Sequence, residues 1–217
     1  MGDVDGDGDI DVMVAVLGGR AVMWMNDGSG VFHDASVVWG LDVLSGGSSH
    51  GCVMGDVDGD GDIDVLVAHA DTRASLYVNG GGEFTEEGSA WGVDTEAAYG
   101  AALGDVNGDG WLDALVYTIG AVDSMHMNTG NRSFVLQRLP TSTTASGVSA
   151  VLFDADHDSD IDVFVGYIGA RGGLFMNDGS GVFVEEGVAR GIPPYTNVFS
   201  MAAADVNGDG LTDMVGS

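Results

Sequence analysis

One motif recurs five times at almost constant spacing, and no other feature constrains the fold as strongly. It is a nine-residue acidic segment whose first aspartates are Asp3, Asp56, Asp105, Asp154 and Asp205, lying 53, 49, 49 and 51 residues apart. Self-similarity at a period near fifty belongs to architectures that repeat one supersecondary unit, each copy covering the apolar face of the next. A second marker keeps the same beat: the turns beginning Asn26-Asp27-Gly28, Asn79-Gly80-Gly81, Asn128-Thr129-Gly130 and Asn177-Asp178-Gly179 close on Phe32, Phe84, Phe134 and Phe183. Asn/Gly turns flanked by apolar runs are hairpin signals.

With the second unit as the pattern, the sequence predicts four strands, Ser49 to Gly55, Ile63 to Ala68, Ala74 to Val78 and Glu83 to Glu87, and the acidic segment joins the first two. The second strand of each unit (Ile10 to Leu17, Ile63 to Ala68, Leu112 to Thr118, Ile161 to Val165) is almost continuously apolar, which requires burial on both faces. Helices are disfavoured, because the 37 glycines interrupt every candidate and no stretch joins helical apolar spacing to caps. Four-stranded units buried between neighbours are propeller blades. The predicted fold is all-β, a β-propeller with about fifty residues per blade, in one region over 1–217. It divides into a partial blade 1–48, blades 49–98, 99–147 and 148–198, and a partial blade 199–217. Met1-Gly2-Asp3 aligns with Met54-Gly55-Asp56, so the expectation is a piece of a longer propeller. The alternative is a closed four-bladed ring in which the strand around Phe199 to Ala203 completes the first blade.

The acidic segments carry the chemistry. Counting each from its first aspartate, oxygen-bearing residues fall at positions one, three, five and nine, and position seven is free to vary because its backbone carbonyl can serve. The expected metal ligands are Asp3, Asp5, Asp7, Asp9 and Asp11 in loop 1, and Asp56, Asp58, Asp60, Asp62 and Asp64 in loop 2. Loop 3 supplies Asp105, Asn107, Asp109, Trp111 and Asp113, and loop 4 Asp154, Asp156, Asp158, Asp160 and Asp162. Loop 5 supplies Asp205, Asn207, Asp209, Leu211 and Asp213. Glycine at position six (Gly8, Gly61, Gly110, Gly210) permits the positive φ that curls the chain round an ion. Five oxygens plus water match the six to eight ligands of calcium, whereas magnesium wants a stricter octahedron. Softer metals lack Cys or His at ligand spacing. The expected cofactor is Ca²⁺, about five ions, one per loop. Position twelve is Val14, Val67, Val116, Val165 or Gly216, so the bidentate glutamate of an EF-hand is missing. In loop 4, His157 and Ser159 replace the glycines at positions four and six, predicting lower occupancy there.

Charge follows the same segments. The chain has 34 acidic residues against 6 arginines and no lysine, a net charge of −28; outside the loops, 13 acids face those 6 arginines. Nucleic acid is therefore excluded as a partner. Apolar runs such as Val12 to Leu17 are far shorter than the roughly 20 residues of a spanning helix, so no membrane insertion is expected in this segment. The single cysteine, Cys52, allows no intrachain disulfide and reads as a small buried hydrophobe.

The unit Gly-Asp-Val-Asp-Gly-Asp-Gly-Asp-Ile-Asp-Val at 55–65, preceded by a glycine-rich strand, resembles the FG-GAP and VCBS repeats of integrin-α-like propellers. The stretch Leu76 to Glu87 followed by Trp91-Gly92 is similar to the propellers of the cartilage acidic protein and ASPIC/UnbV type. The resemblance implies calcium loops on one face and ligands on the other, an extracellular or cell-surface setting, and a role in adhesion or binding of a protein or glycan ligand.

Blade geometry places the acidic loops and the Asn/Gly hairpins at one end and the remaining turns at the other. Arg20, Arg73 and Arg171 fall at that second end, with Trp39, Trp91, Tyr99 and Tyr195 in the connections between units. These are the candidate ligand-binding residues; the competing reading pairs the arginines with local acids and uses the tryptophans to seal blade joints. His33, His50, His69 and His126 share no partner spacing, and Ser48-Ser49-His50 is not a nucleophile elbow, so the chain is expected not to be an enzyme.

Overall fold

The apolar runs after the second, third and fourth acidic segments become strands covered on both sides, and the architecture follows from that. The computed structural model of the chain describes residues 1–41, 48–93, 95–141, 143–194 and 197–217. It forms five antiparallel sheets in chain order. Sheet one holds β1 (Val12–Val14), β2 (Val22–Asn26) and β3 (Phe32–Asp34). Sheet two holds β4 (Ser49–Gly55), β5 (Asp64–His69), β6 (Ser75–Asn79) and β7 (Phe84–Glu86), followed by a single helical turn, α1 (Gly88–Trp91). Sheet three holds β8 (Ala98–Gly104), β9 (Asp113–Thr118), β10 (Ser124–Asn128) and β11 (Phe134–Arg138). Sheet four holds β12 (Ser146–Phe153), β13 (Asp162–Ile168), β14 (Gly173–Asn177) and β15 (Phe183–Glu185), and sheet five β16 (Met201–Ala204) and β17 (Asp213–Gly216).

Each four-stranded sheet is a meander with its strands in sequence order. The first strands β4, β8 and β12 each carry a register shift, at Ser49/Gly51, Ala98/Gly100 and Gly147/Ser149. Such bulges add twist. Gly51 lets two of these strands meet: a Cβ there would lie 2.8 Å from the Tyr99 carbonyl and 2.9 Å from the Gly100 Cα.

Period-two alternation sends β5, β9 and β13 each into two cores at once. Val65, Val67 and Tyr77 face Met23 and Met25 of sheet one and Leu41 of the connection after it, whereas Leu66, Ala68, Leu76 and Val78 face Ala114, Val116 and Phe134 of sheet three. Leu115 and Met125 then meet Val163, Val165 and Phe175, and Phe164 and Leu174 meet Met201 and Met214. Sheets stacked in this way are propeller blades.

Four details differ from the sequence expectation. β1 spans three residues rather than Ile10 to Leu17, because it is an edge strand with β2 on one side only, leaving Val14, Val16 and Leu17 exposed. Met201–Ala204 pairs with Asp213–Gly216 and not with β1, so it does not complete the first sheet. A helical turn forms at α1, closed by Gly92 at φ 81°. Trp39 and Trp91 do not lie at the end opposite the acidic loops. The connection after the fourth strand doubles back, so Trp39 packs on Phe84 and Trp91 on Phe134, the aromatics that follow the Asn/Gly hairpins. In the third unit, where Arg138-Leu139-Pro140 replaces Trp-Gly, β11 still forms and Leu139 is buried.

Candidate metal centre

Each acidic loop folds on its own backbone before any ion is considered. The first-position carboxylate accepts the position-six N–H: Asp3 from Gly8 at 3.0 Å, Asp56 from Gly61 at 3.0 Å, Asp105 from Gly110 at 2.8 Å, Asp154 from Ser159 at 3.0 Å and Asp205 from Gly210 at 2.9 Å. The fifth-position carboxylate accepts the position-seven N–H in all five, from Asp7 to Asp209, at 2.8 to 3.0 Å. Positions four and six both take positive φ. Loop 4 keeps that path without glycine, holding His157 at φ 66° and Ser159 at φ 76°, a left-handed conformation that costs about 1 to 2 kcal/mol per residue.

The ninth-position aspartate does more than its spacing suggested. Asp64 Oδ2 accepts the Val57 N–H at 2.8 Å, closing the loop, while Oδ1 accepts the Asn79 N–H at 2.8 Å, tying the loop to the third strand. Asp11, Asp113 and Asp162 repeat both bonds. All four are buried. The hairpin asparagine then reaches across the blade joint. Asn79 Nδ2 donates to the Val4 carbonyl at 3.1 Å, Asn128 to Val57 at 2.7 Å and Asn177 to Val106 at 2.6 Å, each a residue of the preceding loop.

Carboxylate oxygens of positions one, three and nine converge within 4.8 Å of one another in Asp3/Asp5/Asp11, Asp56/Asp58/Asp64 and Asp154/Asp156/Asp162. Loops 3 and 5 have Asn107 and Asn207 at position three. The fifth-position residues Asp7, Asp60 and Asp158 lie outside these groups. At position seven, Trp111 lays its indole over Gly59 of loop 2 and Gly130, contacts that leave no room for a Cβ at either glycine. Asp3 Oδ1 is buried and accepts no hydrogen bond. An orphaned carboxylate oxygen beside two more carboxylates fits a hard cation. Burial, reinforced by the neighbouring aspartates, pushes Asp64 and Asp113 up to about 6 despite two N–H donors each, and raises Asp5 and Asp162.

Two arginines enter these loops. Arg132 Nη2, from the β10–β11 hairpin, lies 2.6 Å from Asp58 Oδ2, with its guanidinium 5.7 Å from the Trp91 ring centroid. Arg190 Nη2 lies 2.9 Å from Asp156 Oδ2. Among the candidate ligand residues, Arg20, Arg73 and Arg171 do fall in the turns opposite the acidic loops. Arg171 borders a cleft of about 290 Å³ with Thr141, Thr143, Tyr167 and Glu185. Trp91 is 2% exposed, donates to Glu87 at 2.7 Å and offers no face to a ligand; Trp39 is half-buried against Phe84. Tyr99 pairs with His50 at 5.0 Å, and Tyr195 lies outside the described residues. Cys52 is only partly buried, with burial pushing its thiol up.

Blades that are stacked in sequence order, the complete ones each with one acidic loop between the first two strands, define a repeat protein of the propeller class. The FG-GAP-like repeat family matches residues 3–67, 56–116 and 154–216, more than half of the chain, and the chain belongs to that family. Among solved structures it is similar to the crystal structure of the V. cholerae biofilm matrix protein Bap1, with a TM-score of 0.50 and 19% identity over 99% of this chain. It spans 33% of that protein's chain, and the likeness concerns the fold alone. No curated protein matches it in sequence.

Proposed function

We propose that the chain is a calcium-binding extracellular module that presents a propeller surface to a protein or glycan ligand, with calcium serving structure rather than catalysis. The observation that carries this reading is the convergence of three carboxylates within 4.8 Å in each of loops 1, 2 and 4, with Asp3 Oδ1 left without a donor. Aspartates at positions one, three and nine are the side chains that would hold the ion, and position seven can add its carbonyl. Calcium would supply the charge that lets these carboxylates ionise side by side. The similarity in fold to a biofilm matrix protein supports an extracellular setting. A non-catalytic role is supported by the Ser–His contacts: Ser124 Oγ to His126 Nε2 at 3.2 Å and Ser49 Oγ to His69 Nδ1 at 3.4 Å are buried and closed to a substrate.

Calorimetric titration of the chelator-stripped chain should give exothermic or endothermic calcium binding approaching five ions per chain. No heat across millimolar calcium overturns the reading. A glycan or protein pull-down retained in calcium and lost in EGTA supports the binding role, and retention in both conditions separates ligand capture from the metal.

A further inference from the structure

Position three is relieved of charge in four of the five loops, by two different devices. Loops 3 and 5 place neutral Asn107 and Asn207 there. Loops 2 and 4 keep Asp58 and Asp156 but bring an arginine to each. We propose that Arg132 and Arg190 are resident counter-cations that hold the third-position carboxylates of loops 2 and 4 when calcium is absent, and so set a weaker calcium affinity there. This inference rests on the calcium reading above.

Three observations carry it. The Asp58 side chain is 3% exposed, and a carboxylate so placed needs a partner. Arg132 supplies one from the next blade, with its guanidinium over Trp91. Its backbone sits at φ 52°, in the place that Gly30 and Gly181 occupy in the sister hairpins at φ 83° and 80°. A side chain held in a conformation that suits glycine implies a compensating bond, and the Asp58 ion pair is that bond. In loop 4 the arginine comes from a different element, the connection after β15, where Arg190 bridges Asp156 at 2.9 Å and Glu186 at 2.8 Å. The same aspartate position is thus reached by two unrelated routes. A dication entering either loop must share the carboxylate with a guanidinium, and one like charge about 4 Å from a dication weakens binding on the order of thirtyfold at high dielectric.

Calcium titration followed by amide NMR resolves the loops separately. The amides of Gly59 and Gly61 report loop 2, those of His157 and Ser159 loop 4, and those of Gly110 and Gly210 serve as controls. In Arg132→Gln the loop 2 midpoint should fall to roughly one thirtieth of its wild-type calcium concentration while the controls stay in place. Arg190→Gln should do the same in loop 4, and Arg132→Lys should keep the wild-type midpoint. In EGTA, Arg132→Gln should melt below wild type. A loop 2 midpoint that stays put or rises in Arg132→Gln, with loop 4 likewise unmoved in Arg190→Gln, overturns the proposal. If no loop of the wild-type chain responds to calcium, the calcium reading falls and this inference falls with it.

Discussion

Asp123 sits fully buried with Oδ1 accepting the Thr118 N–H at 2.6 Å, while its carboxylate also faces the Tyr167 hydroxyl. Burial pushes its carboxyl up to about 6 from 3.8, against the opposing pull of Thr118 and Tyr167. The raised folded value means that the neutral acid is tolerated and the ionised form is not. Its contribution is therefore fully present below about 4 and lost as pH rises through about 6. Asp123→Asn keeps the acceptor and removes the charge. At pH 7 the variant should be more stable than wild type by about 3 kcal/mol, with the gap closing as pH falls to 4; urea denaturation at both pH values measures it, and a gap independent of pH would refute the assignment. Nothing in the sequence marks this residue, because it is one of 13 acids outside the loops and its burial comes from sheet four. The loop aspartates were legible because their partners lie within nine residues. What could not be read there was the second bond of Asp64, to an N–H fifteen residues on.

At the scale of the element, the hairpin between the third and fourth strands acts as a clasp on the preceding blade. Asn128 donates to Val57 at 2.7 Å and Leu112 at 3.1 Å and accepts from Gly130 at 3.0 Å, all with the side chain buried. Asn128→Ala strands buried carbonyls on two blades and should cost about 3 kcal/mol. Asn26, in sheet one, stays within its own unit, donating to Ile10 at 3.4 Å and accepting from Gly28 at 3.2 Å, so Asn26→Ala should cost about 1 kcal/mol or less. Equal losses in chemical denaturation would show that the cross-blade bond carries no weight. The strands themselves were readable, since unbroken apolar runs such as Val65 to Ala68 demand cover on both faces. Strand ends and connections were not. The paths of Trp39 and Trp91 depend on a chain that doubles back toward a neighbour, and the reach of Arg132 depends on a partner 74 residues away.

For the whole molecule, the question is whether relief of a −28 net charge by generic salt can replace ions bound at defined places. Screening acts over a Debye length of about 8 Å at physiological ionic strength and about 3 Å at 1 M, whereas the grouped carboxylate oxygens lie within 4.8 Å of one another. Salt therefore softens repulsion between blades but acts little inside a loop. Calcium acts inside it, and each independent site at a hundredfold excess over its Kd adds about 2.7 kcal/mol. In EGTA, raising sodium chloride from 10 mM to 500 mM should lift the melting temperature by a few degrees. One millimolar calcium at the lower salt should lift it well beyond that, and equimolar magnesium should fall between, because it sheds its waters reluctantly. The ordering discriminates two causes of the same acidity. If salt alone reached the calcium value, the loops would be acting as a diffuse negative surface, and the blade-by-blade recurrence of their carboxylates would need another explanation.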